Sequence, residues 1–225
     1  MDISPLFISI KVAFVATIIA MILGIAAARY VFKIRRFKGL FDCAFTLPMV
    51  LPPTVVGFFL LIVLGRNSLV GKFLIQFNIN VVFTWVGAVI ASTVVAFPLM
   101  YRTTRGAFEQ FDTTLIYAAR TLGLSEFKIF WNVVIPNIIP SIIAGVVLTF
   151  ARAIGEFGAT IMLAGNIPGK TQTVAVAVYT AVQAGDREKA FNWVGIICAM
   201  SFIAMILMNF WNNLQYKKSV KRSGF

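Results

Sequence analysis

Long apolar runs separated by short polar, basic islands set the pattern of this chain. Runs cover about residues 5–30, 41–64, 81–101, 137–164 and 193–214. Each is long enough to cross a hydrocarbon core about 30 Å thick as a helix. The pattern therefore predicts an all-α integral membrane protein with five transmembrane helices, forming a single transmembrane domain over residues 1–225. The second run contains Pro48, Pro52 and Pro53. Each proline removes a helix donor, so this span is expected to be kinked or broken, with its freed backbone groups facing protein or a watery cavity. Residues 65–80 read as a loop. Residues 171–188 hold an apolar core too short to cross, and read as a re-entrant or surface helix on the outer side, although the Val/Ala alternation there also suits a strand.

Basic residues fix the expected orientation. Lys and Arg number five in residues 29–38, four in 102–128 and four in 217–222, against Arg66, Lys72, Lys170, Arg187 and Lys189 on the opposite side. The richer side is assigned to the cytoplasm, so the N-terminus lies outside and the C-terminus inside. Arg29 and the basic residues after it also argue against reading the first run as a cleaved signal peptide.

Composition removes several function classes. The 225 residues are 60% hydrophobic and 12% charged, with a mean hydropathy of +0.90. The net charge of +12 comes from residues at the ends of apolar runs, which gives no basic soluble face for nucleic acid. Histidine is absent, and Cys43 and Cys198 stand apart in apolar runs, where they read as small buried residues. No metal site, cofactor or catalytic constellation is expected. The segment Ala164–Thr171, AGNIPGKT, nearly matches a phosphate-binding loop, but Ala164 replaces its first glycine and no strand precedes it. It reads as an external turn on Pro168–Gly169.

The most informative stretch is Asp112–Pro136, DTTLIYAARTLGLSEFKIFWNVVIP. It reads as two short helices. Asp112 caps the first, Gly123 stops it, Ser125 caps the second and Pro136 closes it. Tyr117-Ala118-Ala119, Gly123, Val133, Ile135 and Pro136 keep the spacing of the cytoplasmic coupling loop of ABC-transporter permeases, which this stretch resembles. The family's glutamate is Tyr117 here and its leucine Ile135. An acidic contact to an ATPase is left to Glu126 or Asp112. The segment TLPMVLPPTVVG and the segment ARAIGEFGATIMLAGNIPGKTQT resemble two further blocks of molybdate permeases.

The resemblance implies a type I ABC importer permease fold and a pore subunit for molybdate. Tungstate or sulfate permeases share this architecture. Implied partners are two ABC ATPase subunits, a second copy of the chain and an extracytoplasmic oxyanion-binding protein, all in or on the cell membrane. The chain itself is not an enzyme. Ala118, Ala119, Gly123 and Leu124 are the expected ATPase-coupling residues. Thr54, Arg152 and Glu156 are the expected pathway or gate residues, with Arg152 and Glu156 four apart on one helical face. Residues after Leu214 are too few for the oxyanion-binding regulatory domain of some family members. An alternative of another class is an ion-coupled secondary transporter using Arg152 and Glu156.

Overall fold

The computed structural model describes residues 2–34 and 36–222; side chains are described as far as residue 206. Arg35, one of the basic cluster, lies outside the described residues. Every regular element among them is helical. Among the described residues four helices are long and apolar enough to cross a membrane, five if a bent pair counts as one span.

The first helix, α1 (Ser4–Lys33), starts with Pro5 in its first turn, where a missing N–H costs nothing. Its buried face reads Val12, Ala13, Ala16, Thr17, Ala20, Gly24, Ala28 and Val31. Such a small-residue stripe lets backbones approach closely in a membrane, where there is no water to drive large side chains together. At Gly24 an added Cβ would lie 2.8 Å from Met100 Cγ, so the approach is tight.

The proline-rich second run is two helices, α2 (Lys38–Val50) and α3 (Pro53–Leu64), bent by 111° at Leu51–Pro52. The region after it is not all loop: α4 (Leu69–Gln76) forms there, its first turn capped by Ser68 Oγ, which accepts from Gly71 N–H at 2.8 Å. The third span, α5 (Trp85–Glu109), runs eight residues beyond the C-terminal end of its apolar run, past Pro98. It is the central helix, packing on α1, α2 and the fourth span.

Two short helices follow, α6 (Thr114–Thr121) and α7 (Glu126–Ile129). The second does not close at Pro136. A wide turn over Phe130–Val134, in which Ile135 N–H donates to the Phe130 carbonyl five residues back, runs directly into α8 (Ile135–Ile154). The proline sits in the first turn of α8, a position it tolerates, and the wide turn absorbs the register change. The continuous helix that carries the fourth span thus runs Glu126–Ile154, starting and ending about ten residues before the expected 137–164. Residues 158–164 belong instead to a separate helix, α9 (Gly158–Ala164).

Past α9, Ile167–Thr171 forms a turn: Lys170 and Thr171 N–H both donate to the Ile167 carbonyl, with Gly169 at φ +72°. Next comes α10 (Val174–Gln183), a ten-residue helix rather than a strand, capped by Thr173 and packed on α11 (Arg187–Arg222) and α1. Cys43 and Cys198 are both exposed on the chain rather than buried. Membrane helices apolar all round carry no pattern that tells an inward face from a lipid-facing one.

Candidate functional site

Two places gather the residues of interest. The first is the break in the fourth span. α8 ends at Ile154, so Arg152 lies in its last turn while Glu156 lies in the gap before α9, not on a continuous helical face. They still pair: Arg152 Nη1 sits 2.7 Å from Glu156 Oε2. The other carboxylate oxygen, Oε1, accepts from Ala159 N–H at 2.8 Å, so the glutamate both holds the arginine and caps the helix that follows. Its side chain is 1% exposed, against 34% for Arg152. A charge buried this deeply persists only when paired and hydrogen-bonded. The arginine keeps guanidinium N–H groups to spare, since the fork has five donors.

Thr54, in the first turn of α3, comes to the same break. A Cβ on Gly158 would lie 3.0 Å from Pro53 Cβ and 3.1 Å from Thr54 N; one on Gly57 would lie 2.8 Å from Ala159 Cα. The bent second span is therefore seated backbone-to-backbone on the helix that Glu156 caps. Thr54 is exposed.

The second place is the α6–α7 loop. Asp112 Oδ1 accepts from Thr114 N–H at 2.9 Å, and the Thr114 hydroxyl together with that N–H holds the carboxyl below its ordinary range. The helix stops where expected: Gly123 has φ +75°, Gly123 N–H donates to the Arg120 carbonyl and Leu124 N–H to the Ala119 carbonyl. That reciprocal pair of bonds is the Schellman closure, which needs a residue at ease in the left-handed region. Ser125 Oγ accepts from Lys128 N–H, as a cap should. Across the turn Arg120 Nε meets Glu126 Oε1 at 2.7 Å; that hydrogen bond, with the arginine's charge, holds Glu126 low. Both candidate acids of this loop thus have partners within the chain.

The four expected coupling residues divide. Ala118 and Gly123 are exposed, Leu124 is half-buried, and Ala119 is buried at 5%. Ala119 packs into the core formed with Phe108, Ile129 and Phe130, so it seats the helix rather than presenting it. What the loop presents outward is Tyr117, Leu122 and Phe127.

One cluster had gone unread. Asp42 of α2 pairs with Arg105 of α5 and accepts from the Tyr101 hydroxyl; Lys38 Nζ lies 2.8 Å and Arg105 Nη2 3.1 Å from Glu109 Oε1. It ties the bent span to the helix leading into the coupling loop. Its sequence signal was the four-residue spacing of Tyr101, Arg105 and Glu109, matched by Lys38 and Asp42.

The bundle thus has a bent second span, an interrupted fourth and the short helices α6 and α7 between the third and fourth. Solved structures agree at the level of fold. The permease of the MetNI methionine ABC transporter superposes with a TM-score of 0.65 at 13% identity, over 92% of this chain and 94% of that one. An amino acid ABC transporter gives 0.65 at 21% identity, over 94% and 92%.

Residues 20–221 match the family described as binding-protein-dependent transport system inner membrane component, and the chain belongs to that family. It is a multi-pass inner-membrane protein. Among curated relatives, the putative molybdenum transport system permease protein YvgM of Bacillus subtilis is 43% identical over 207 residues, 91% of each chain. ModB of Escherichia coli K12, a molybdenum transport system permease protein, is 41% identical over 203 residues, 89% of each. The sulfate transport system permease protein CysT of Salmonella typhimurium is 35% identical over 204 residues, 90% of this chain and 73% of that one.

Proposed function

We propose that this chain is the pore subunit of an ATP-driven molybdate importer. The observation that carries the substrate is that the molybdenum permeases of Bacillus subtilis and Escherichia coli reach 43% and 41% and match nearly end to end, while a sulfate permease reaches 35% over 73% of its length and the molybdenum permease of Azotobacter vinelandii 32% over 92% of its own. Two copies form the pore, and each docks one ATPase subunit from the cytoplasm. An external binding protein delivers the oxyanion. The N-terminus lies outside and the C-terminus inside, in keeping with the distribution of basic residues.

Coupling follows from the two places described. The ATPase grips the exposed rim of the loop, with Tyr117, Ala118 and Leu122 as the contact and Gly123 setting its shape. Ala119 and Leu124 anchor that loop to the core beneath. Motion of the loop passes into α5, which it follows, and into α8, which continues from it. The ionic cluster of Asp42, Arg105 and Glu109 carries the motion of α5 to the bent second span. Both spans converge on the break at Glu156. There Arg152, held in place by Glu156, offers its remaining N–H groups to a passing dianion; Thr54 supplies a hydroxyl nearby.

Uptake by proteoliposomes tests this. With the ATPase and binding protein present, labelled molybdate should accumulate on ATP addition and unlabelled sulfate should compete weakly. Preferential uptake of sulfate or tungstate would replace the substrate assignment. Accumulation driven by an ion gradient without the ATPase would overturn the mechanism.

A further inference from the structure

Behind the α6–α7 loop lies a cavity lined by none of Thr54, Arg152 and Glu156. It has a volume of about 160 Å³ and opens between the last turns of α1 and α5 and the start of the fourth span. Phe32, Phe108, Phe111 and Ile116 make its apolar wall. Its rim is basic: Arg29, Lys33 and Arg120 face one carboxylate, Glu126. Arg120 and Glu126 pair with each other at 2.7 Å, which leaves two positive charges over. Among the described residues neither Arg29 nor Lys33 takes part in an ion pair. The Arg29 guanidinium is instead held over the Phe130 ring, 3.6 Å from its centroid, a contact that fixes the charge without neutralising it.

We infer that this cavity is a binding site for an anionic phospholipid. The chemistry divides cleanly between wall and rim. A dry apolar cavity of about 150 Å³ holds a molecule the size of benzene, so this one takes a segment of acyl chain and not a headgroup. The headgroup phosphate would then rest at the rim, within reach of Arg29 and Lys33. The location fits, because the site lies where α1 leaves its apolar run, and basic pockets between helices at that level suit acidic headgroups. A protein side chain could fill the wall but would leave the two cations without a partner. A lipid here would touch Ile116 and Phe130, and so would brace the coupling loop from behind, whatever substrate the pore carries.

The test uses the full-length chain, purified and delipidated in nonionic detergent. It is titrated with dioleoylphosphatidylglycerol or dioleoylphosphatidylcholine, and bound lipid is counted by native mass spectrometry. One site should prefer phosphatidylglycerol by tenfold or more. Removing a basic side chain near an anionic surface costs about fivefold, so Arg29→Gln with Lys33→Gln should weaken binding about twenty-five-fold. Arg102→Gln with Lys128→Gln removes two charges that do not line the cavity and should weaken binding clearly less than the Arg29/Lys33 pair. Ile116→Trp fills the wall with all charges kept and should also abolish the site. Equal losses in the Arg29/Lys33 and Arg102/Lys128 pairs would mean diffuse surface charge and overturn the proposal. So would displacement of the lipid by inorganic phosphate, which marks a site for the anion alone. Loss of ATPase co-purification in the Arg29/Lys33 variant with lipid binding unchanged would assign the cavity to the ATPase and overturn it as well.

Discussion

Replacing Gly57 by alanine places one methyl group between the two broken spans. Its Cβ would sit 2.8 Å from Ala159 Cα, 2.8 Å from Met162 Cβ and 3.0 Å from the Ala159 carbonyl oxygen. Carbon atoms pack best at about 3.5–4.0 Å, so the surfaces must part by roughly 1 Å. Two of the three atoms met are backbone, so no side-chain rotation relieves the clash. Overpacking of this kind costs about 1–3 kcal/mol, equivalent to roughly five- to hundredfold in an equilibrium. The strain falls on α9, whose first turn Glu156 caps, so the break at the proposed pathway should be displaced with it. Two measurements on the reconstituted complex follow: thermal unfolding in detergent, and ATP-driven uptake. Gly57→Ala should unfold earlier and lose most uptake while still co-purifying with the ATPase, because the coupling loop is untouched. Gly106→Ala is the control. Its Cβ meets nothing within 4 Å in a helix, so it should stabilise by about 0.5–1 kcal/mol. If Gly57→Ala unfolds and transports like the wild type, α3 does not sit on α9 as described, and the convergence of the two spans fails.

Glu156→Gln keeps an acceptor for Ala159 N–H but loses the charge that holds Arg152, so uptake should fall while the complex stays assembled; unchanged uptake would reduce the pair to packing. Glu156→Ala should be worse in thermal unfolding by a further 1–3 kcal/mol or so, the cost of a buried N–H left without a partner. At Gly123 a Cβ meets no neighbour, so Gly123→Ala should cost only the left-handed backbone penalty of about 1–2 kcal/mol, read as weaker ATPase co-purification; Gly123→Asn should cost less. Glu126 should titrate below its ordinary 4.5, because Arg120 stabilises the charged form. Its small contribution is therefore present above that value and lost as pH falls through the lowered one, which a side-chain NMR titration would show; a midpoint at or above 4.5 would dissolve the Arg120–Glu126 link.

Much of the fold was legible because lipid imposes one rule: an apolar run of sufficient length becomes a helix. Pro48, Pro52 and Pro53 gave away the break in the second span, since three missing donors cannot be hidden, though not its angle. The fourth span was framed about ten residues too late, for a local reason. Hydropathy continues smoothly through 155–164, while Pro136 looks like a stop. The structure instead starts the helix at Glu126 and carries it through a wide turn, then interrupts it at Gly155–Phe157. The charge of Glu156 was the only mark of that interruption, and it was read as a residue within a helix. In the coupling loop, the stop at Gly123 and the cap at Ser125 are legible in the sequence, whereas α6 starts after Thr113 rather than Asp112, which accepts from Thr114 N–H instead. The burial of Ala119 is not legible in the sequence, because smallness suits both an open docking face and a close internal contact. The three-residue spacing of Ala119 from Ile116, which also packs inward, was the available clue. Asp42 escaped notice because its partners lie on another helix, about sixty residues away.

The account rests on the loop between α5 and α8 facing the ATPase side. Leu122, 80% exposed at its tip, is the residue to label, in a chain whose Cys43 and Cys198 have been replaced by serine. With Leu122→Cys, a membrane-impermeant maleimide should react in inside-out vesicles and not in intact cells. Added ATPase subunit should slow that reaction. Labelling from outside intact cells, or a rate the ATPase leaves unchanged, would contradict it.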